Sequence, residues 1–339
     1  MVRTEKKKRR NRTLANYQRN QARIKGKIFE LVLRELLLKA GFSTDVDSKQ
    51  ITRNQKRLHG RGSTYDPDFF GSFRMGIPFV HPIMIVAEAK YFNSKVHLGK
   101  VREFLGAYID FSQYARVNTM VSGDERYNVL YSTRFTYCPI FFSVKGFDKS
   151  AQGLMYAHGI NYISYENSDI VNRIFKLIEG LLKTINFSKF QSNDFKVFNE
   201  LNTINQLGAE LKKNDFDNAL NRLQKYLSNV NSLIGVIDLK YPVNILHNRK
   251  IAASKLKKIK IKRLSNEHFF IENTAGRKYG EFSLSGNFFN GYISYAKKNN
   301  LSDKIFTQID IVFPQKENLE IKQLLIDSES RSKLLEGCT

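Results

Sequence analysis

Two carboxylates and a lysine in the first third of the chain have residue types and a spacing that could support chemistry. Asp68 follows Pro67, and Glu88 and Lys90 end an apolar run that starts at Ile83. Neighbouring carboxylates repel each other unless a hard cation such as Mg²⁺ takes oxygen ligands from both. A lysine beside that cation can orient a water molecule or stabilise charge on a reacting phosphate. The same pattern also fits a solvated charge pair at the end of a strand, so the surrounding elements decide between these interpretations.

The segments around these residues predict two strands that could bring the side chains together. Residues 83–90 form an apolar run with Ile and Val, which is typical of a buried strand, and residues 68–73 predict an earlier strand. Because strand side chains alternate between faces, Glu88 and Lys90 point the same way, and Asp68 joins them if the two strands pair. Asp66 precedes the same proline, and alternation places it on the side of Asp68. Asp66 is therefore a second candidate ligand.

The composition favours a polyanionic partner. The chain has 339 residues, enough for two domains or for one domain with a large extension. The formal net charge is +23, and basic side chains gain free energy when they displace counterions from phosphates. We therefore expect a partner that carries many phosphate groups, and an anionic membrane surface is the competing polyanion.

The sequence argues against several other classes of protein. No apolar run approaches the ~18 residues of a membrane-spanning helix, and the basic N-terminus lacks the apolar segment of a secretory signal. Cys138 and Cys338 are the two cysteines, too few for a disulfide framework or a Cys-rich zinc site. The six histidines show no H-x-x-x-H or H-x-H spacing. We therefore expect a cytoplasmic protein that does not insert into a membrane.

Basic segments precede the two predicted strands. Residues 1–25 form an arm rich in Lys and Arg, which we expect to be disordered and either to contact nucleic acid or to act as a solubilising tail. Residues 26–40 have apolar residues at helical spacing and predict a helix, on which Glu30 is either at the edge of the buried face or an ordinary surface glutamate. The polar loop at 49–63 is a place where a phosphate backbone could pass, or an ordinary solvated loop. Its basic residues are Arg53, Lys56, Arg57 and Arg61.

Helices and strands alternate after Lys90 and predict a mixed α/β domain with helices on both faces of a central sheet. The predicted elements are a helix at 98–115 with Lys100 and Arg102 near its start, strands at 127–133 and 139–144, a helix at 148–158 with Asp148 as N-cap, a strand at 161–165 and a helix at 168–185. A helix N-terminus carrying Lys100 and Arg102 could also meet a phosphate.

Residues 26–182 resemble the PD-(D/E)xK superfamily of nucleases, which has the restriction-endonuclease-like fold. The matching pieces are Gly26-x-x-Phe29-Glu30, Pro67-Asp68, Glu88-Ala89-Lys90, the following helix with Gly106, and the return Ala157-His158-Gly159-Ile160-Asn161-Tyr162-Ile163-Ser164. The resemblance implies that Asp68 and Glu88 hold Mg²⁺, with Mn²⁺ as a substitute. It also implies that Lys90 assists the attacking water and that Glu30 supports the site.

The second half of the chain resembles no family and is expected to bind substrate or to join protomers. Residues 194–229 predict helices, and the segments 257–263, 269–272, 281–285 and 291–295 predict short strands. Lys258, Lys260 and Lys262 alternate with Ile259 and Ile261, and Arg263 follows. This segment therefore predicts a half-buried strand with a cationic outer face. Aromatic residues among cations fit base stacking, or a small β-rich core with a solvated rim. The acidic tail at 317–336 predicts a helix.

The expected organisation is a basic arm at 1–25, a nuclease domain at 26–185 and a helical, then β-rich, basic domain at 186–339. We expect an Mg²⁺-dependent endodeoxyribonuclease, of the restriction or anti-phage type that the resemblance implies. Double-strand cleavage would require a homodimer or two binding events. The alternatives are a non-catalytic nucleic-acid-binding module, a junction-resolving or RNA-cutting nuclease, and a nuclease subunit of a larger machine. The chain has no Gly-x-x-x-x-Gly-Lys motif, so an ATPase partner would be a separate protein.

Overall fold

A computed structural model describes most residues of the chain. They are 2–44, 57–73, 81–117, 135–187, 198, 200–210, 214–238, 241–248, 258–264, 268–273, 275–284, 286–314 and 319–336. The strand predicted at 127–133, and the candidate residues Arg53 and Lys56, lie outside them.

The described part of the chain contains both α-helices and β-strands. Its α-helices are α1 (Val2–Lys39), α2 (Leu98–Val117), α3 (Lys149–Ala157), α4 (Asp169–Lys183), α5 (Gln206–Glu210), α6 (Asn214–Asn229), α7 (Gly286–Lys298) and α8 (Ser328–Glu336). Its strands are β1 (Phe42–Ser43), β2 (Leu58–His59), β3 (Thr64–Tyr65), β4 (Phe69–Phe73), β5 (Ile83–Lys90), β6 (Thr136–Ser143), β7 (Asn161–Ser164), β8 (Asn231–Ile237), β9 (Tyr241–His247), β10 (Lys258–Arg263), β11 (His268–Asn273), β12 (Lys278–Ser283), β13 (Gln308–Pro314) and β14 (Leu319–Ile326). None of the described helices combines the length and the apolar composition needed to cross a membrane.

The chain divides into two compact units, each built from segments that are distant in sequence. The helical unit comprises Met1–Leu36 and Asp169–Val230, and the sheet unit comprises Leu37–Ser168 and Asn231–Thr339. In the helical unit, α4 turns an apolar face inward, and Phe175 of that helix meets Phe29 of α1 edge to face at 5.7 Å.

A mixed central sheet lies in the sheet unit, with its described strands in the order β1-β4-β5-β6-β7. β4 is antiparallel to β1 and β5, whereas β6 is parallel to β5 and β7. β5 is the middle strand, and its residues 84–87 are almost completely buried, as the apolar run predicts. The prediction of a mixed α/β fold is therefore confirmed.

Helices α2 and α3 cover part of this sheet. Phe111 of α2 packs against Met84 and Val86 of β5, and Phe104 of α2 joins a second buried cluster with Met155 of α3. Helix α3 begins at Lys149 because the Asp148 carboxylate accepts a hydrogen bond from the backbone N–H of Ala151 at 2.7 Å, which confirms the predicted N-cap.

The rest of the sheet unit contains a closed barrel of described strands in the order β10-β11-β12-β9-β8-β13-β14. β14 closes the ring by pairing in parallel with β10. Along β10 the apolar Ile259 and Ile261 are buried while Lys258 and Lys262 are exposed, so the predicted cationic outer face is confirmed. Within this unit, Tyr165 donates a hydrogen bond to Asn244 of β9 at 3.2 Å.

Three local predictions are wrong. The segment 291–295 lies in helix α7, where Ile293 and Ala296 are buried at helical spacing, although its aromatic residues favour a strand in isolation. The tail at 317–336 contains the strand β14 before helix α8, because residues 319–325 of β14 pair with β13. The arm at 1–25 continues helix α1 from Val2, since Lys, Arg and Gln are good helix formers and extension of a helix costs less than nucleation.

Candidate active site

The turn between β3 and β4 places Asp68 at the end of β5. Phe69 of β4 lies opposite Ala87 of β5, so Asp68 comes one step before the paired residues. Its Oδ2 accepts a hydrogen bond from the backbone N–H of Ala89 at 2.7 Å. The Asp68 side chain is 15 % exposed, so its carboxylate is held beside the strand and largely shielded from water.

Glu88 and Lys90 project from the same face of β5, as strand alternation predicts. Ala87, which precedes Glu88, and Ala89, which lies between Glu88 and Lys90, are buried. Glu88 and Lys90 are partly exposed. The Lys90 Nζ contacts Glu88 Oε1 directly and lies 3.8 Å from Asp68 Oδ2. Both carboxylates therefore converge on one ammonium group, which supplies the positive charge that two neighbouring carboxylates require.

Tyr65 makes a further contact with this cluster that the sequence pattern does not reveal. Its hydroxyl donates a hydrogen bond to Glu88 Oε2 at 2.5 Å. Burial raises the pKa of Tyr65 well above its ordinary value, and the nearby Glu88 carboxylate raises it further. The phenol is thus protonated at neutral pH and acts as a donor. With Lys90 on Oε1 and Tyr65 on Oε2, both oxygens of Glu88 are engaged.

Asp66 does not share this position. Residues 66–68 lie between β3 and β4, so strand alternation does not apply to them. The Asp66 side chain is 66 % exposed, and its Oδ2 lies 3.9 Å from Arg57 Nε. The structure therefore brings Asp68 rather than Asp66 to Glu88 and Lys90.

Glu30 lies on α1 in the helical unit. Its Oε2 accepts a hydrogen bond from Lys27 Nζ at 3.0 Å, and its side chain is 23 % exposed. The supporting role that the resemblance implies for Glu30 stays a prediction.

The donor set fits a hard cation that keeps several non-protein ligands. Among the described residues, no group of three or more His, Cys, Asp or Glu side chains could hold a metal ion. Asp68 and Glu88 offer two carboxylates at one place, and Mg²⁺ is commonly held by one or two carboxylates with water and substrate phosphate completing the shell. Because Lys90 Nζ lies against the same oxygens, a bound cation and this ammonium would compete for them.

The basic candidates near the sheet have different surroundings. Arg57 precedes β2 and Arg61 lies in the loop between β2 and β3, and both residues are exposed. At the start of α2, Lys100 Nζ contacts Glu103 at 2.7 Å, while Arg102 is exposed. These side chains remain candidates for phosphate contacts.

Three of the four basic candidates on the barrel, Lys260, Lys262 and Arg263, line a groove between β10 and α8. This groove encloses about 350 Å³ and has buried apolar residues in its lining. Lys258 Nζ forms an ion pair with Asp327 at 3.2 Å. The groove is lined by Lys260, Ile261, Lys262, Arg263, Glu272, Glu329, Ser330, Lys333 and Leu334.

Asp110 is a second residue that sequence reasoning missed. Its carboxylate accepts hydrogen bonds from the backbone N–H groups of Gly62 and Ser63 at 2.8 and 3.2 Å, which fixes the loop that leads to Tyr65. Asp110 is one of several polar residues on the amphipathic helix α2. Tyr65 is an aromatic residue that immediately precedes Asp66-Pro67. Neither position carries a signal by spacing or composition.

No family model matches this chain, and no curated protein matches it. A solved structure described as a protein of unknown function, AF1548, aligns over 61 % of this chain and 98 % of that chain, with 12 % sequence identity and a TM-score of 0.32. A likeness at that TM-score supports no conclusion about fold or function.

Proposed function

We propose that the protein is a metal-dependent endonuclease that hydrolyses phosphodiester bonds of DNA. The observation that carries this proposal is the convergence of Asp68 and Glu88 on Lys90 at the junction of two paired strands. The formal charge of +23 and the cationic face of β10 support a polyanionic substrate. The restriction-endonuclease-like fold, and a role in defence against foreign DNA, come from the resemblance alone.

The chain's own residues account for binding, orientation and charge at the reacting phosphate. Asp68 and Glu88 would hold Mg²⁺, which when bound stabilises the charge that develops on the phosphate. Lys90 orients the attacking water and donates to the phosphate oxygens through its ammonium group. The oxygen of water bonds to phosphorus as the bond to the leaving oxygen breaks, and the proton that the water loses passes through solvent to the leaving oxygen. The reaction therefore needs no covalent enzyme intermediate.

A cleavage assay with isosteric variants tests this proposal. Purified protein is incubated with plasmid DNA and Mg²⁺ or Mn²⁺, beside Asp68→Asn, Glu88→Gln and Lys90→Met. We expect wild-type cleavage and a loss of roughly a hundredfold or more in each variant, since each removes a group acting on the transition state. Asp217→Asn, an exposed change on α6, is the matched control and should cut like the wild type. Equal products from the wild type and the three site variants would refute the assignment.

Cleavage could involve further copies of the chain or other subunits. One site cuts one strand, so double-strand breaks would come from a homodimer or from two binding events. Branched DNA, single-stranded DNA and RNA in the same assay separate a restriction-type enzyme from a junction-resolving or RNA-cutting one.

One observation favours a second candidate function, a nucleic-acid-binding module without catalysis. Both oxygens of Glu88 already have partners, Lys90 and Tyr65, so the cluster is internally satisfied without a cation. Calorimetric titration with Mn²⁺ separates the two functions. The endonuclease gives binding heat that Glu88→Gln abolishes, whereas the module gives none at this site.

A further inference from the structure

We propose that Tyr65 is a positioning residue that sets the orientation of the Glu88 carboxylate for cation binding, and that Asp110 holds Tyr65 in place from helix α2. This inference rests on the proposed endonuclease function. It adds a path of contacts from a remote helix to the metal ligands.

The path of contacts ends at the hydrogen bond between Tyr65 and Glu88. The Tyr65 hydroxyl donates to Glu88 Oε2 at 2.5 Å, while Lys90 contacts the other oxygen of the same carboxylate. Two donors on two oxygens fix both the rotamer and the plane of a carboxylate. A neutral group that hydrogen-bonds to a metal ligand, as the Tyr65 phenol does, commonly orients the ligand and raises its affinity for the metal. The charged Lys90 ammonium, in contrast, competes with a cation for its oxygen.

The path also includes the packing that fixes the Tyr65 ring. The ring stacks on Phe111 with centroids 5.8 Å apart and an interplanar angle of 14°. Its centroid lies 6.4 Å from that of Phe104, also on α2. The hydroxyl therefore projects from a ring held by α2, and it cannot follow the carboxylate to other rotamers without losing this packing.

The path begins with the anchoring of the hairpin that carries Tyr65. β2 and β3 are each two residues long, with Leu58 opposite Tyr65, and so short a hairpin is not stable by itself. Its loop closes through a hydrogen bond from the Gly60 N–H to the Ser63 carbonyl at 2.6 Å. Asp110 then binds the loop, accepting from the N–H groups of Gly62 and Ser63 at 2.8 and 3.2 Å and from the Ser63 hydroxyl at 3.4 Å.

Two consecutive residues of helix α2 thus contact the hairpin. The Asp110 carboxylate binds the loop, and the Phe111 ring stacks on Tyr65. The Asp110 carbonyl also accepts a hydrogen bond from the backbone N–H of Arg61 at 3.2 Å. A β-carbon on Gly60 would lie 1.8 Å from Asp110 Oδ2, so the close approach requires glycine there. Loss of Asp110 should therefore loosen Tyr65, and through it Glu88, without any change to the ligands themselves.

Mn²⁺ calorimetry on the full chain without nucleic acid tests the path. Tyr65→Phe removes the hydroxyl and keeps the ring, and it should weaken Mn²⁺ binding by about 10- to 100-fold. The Mg²⁺ concentration for half-maximal DNA cleavage should rise in the same proportion. Tyr137→Phe is the matched control, because that ring also packs on Phe111 with centroids 5.5 Å apart and should leave both quantities unchanged. Asp110→Ala should weaken Mn²⁺ binding in the same direction.

The outcomes separate this inference from the function on which it rests. Wild-type affinity in a folded Tyr65→Phe, or equal weakening in Tyr137→Phe, would overturn the positioning role while leaving the endonuclease intact. If Tyr65→Phe fails to fold by circular dichroism, Asp110→Ala decides, and wild-type affinity in that variant would overturn the path. A wild-type chain that neither binds Mn²⁺ nor cuts DNA would remove the proposed function itself.

Discussion

Replacement of Lys90 by methionine should destabilise the sheet unit, and the structure sets the size of the effect. Lys90 Nζ lies 3.8 Å from Asp68 Oδ2, and at an effective dielectric constant near 20 this pair alone attracts by about 4 kcal/mol. Lys90→Met keeps most of the side-chain volume but leaves two largely shielded carboxylates facing each other. Breaking such a pair from one side commonly costs about 3–5 kcal/mol.

Differential scanning calorimetry in metal-free buffer measures this loss. The sheet unit has about 240 residues, for which a loss of about 3 kcal/mol lowers the melting temperature by roughly 6–12 °C. The control is Lys333→Met, which breaks an exposed ion pair with Glu329 on α8 and should cost about 0.3–0.5 kcal/mol. An unchanged melting transition in Lys90→Met would refute the claim that this ammonium neutralises both carboxylates.

The same variant should bind Mn²⁺ more tightly than the wild type, because the ammonium no longer competes for the carboxylate oxygens. A gain of at least about tenfold corresponds to about 1.4 kcal/mol. At a Mn²⁺ concentration of about 100 times its dissociation constant, binding should restore about 2.7 kcal/mol of stability. Lys90→Met should therefore recover its melting temperature in Mn²⁺ yet stay inactive in cleavage. Equal Mn²⁺ stabilisation of the wild type and the variant would contradict the competition.

Two further predictions concern the barrel and the hairpin. Lys262→Ala should reduce the slope of the logarithm of the DNA-binding constant against the logarithm of salt concentration by about one, because one phosphate contact is lost. Lys304→Ala, a change at an exposed lysine, should leave this slope unchanged. Fluorescence anisotropy across a salt series measures both slopes, and identical slopes would exclude β10 from the interface. Gly60→Ala should weaken Mn²⁺ binding because its new methyl group would collide with Asp110. Gly62→Ala, whose methyl group would lie 3.5 Å from Asp110, should bind Mn²⁺ with wild-type affinity. Equal Mn²⁺ affinities of the two variants in calorimetry would argue against the anchored loop.

The elements that the sequence predicted correctly are those whose signal is local. The apolar run before Glu88 predicts a buried strand, and alternation alone places Lys90 on the same face. Asp148 caps α3 through a bond to a residue three positions away, so its neighbours contain all the information. The alternation of Lys and Ile along β10 is also a local signal, because every second residue is apolar and lies on the buried face.

The tertiary structure decided the features that depend on residues distant in the chain. Asp66 and Asp68 are equivalent in sequence, and the pairing of β4 with β5 selects Asp68 by giving its carboxylate the N–H of Ala89. β14 is a strand because β13 lies beside it, although its residues also suit a helix.

The contacts around Glu88 show most clearly which features the local sequence determines and which features depend on residues distant in the chain. The sequence determined that a carboxylate and a lysine would share one face at the end of a buried strand. Only the fold brought Tyr65 to that carboxylate and Asp110 to the loop that carries Tyr65, across separations of 23 and 48 positions. Such contacts form because side chains from separate elements pack into a common core, and no local pattern records which of them will meet.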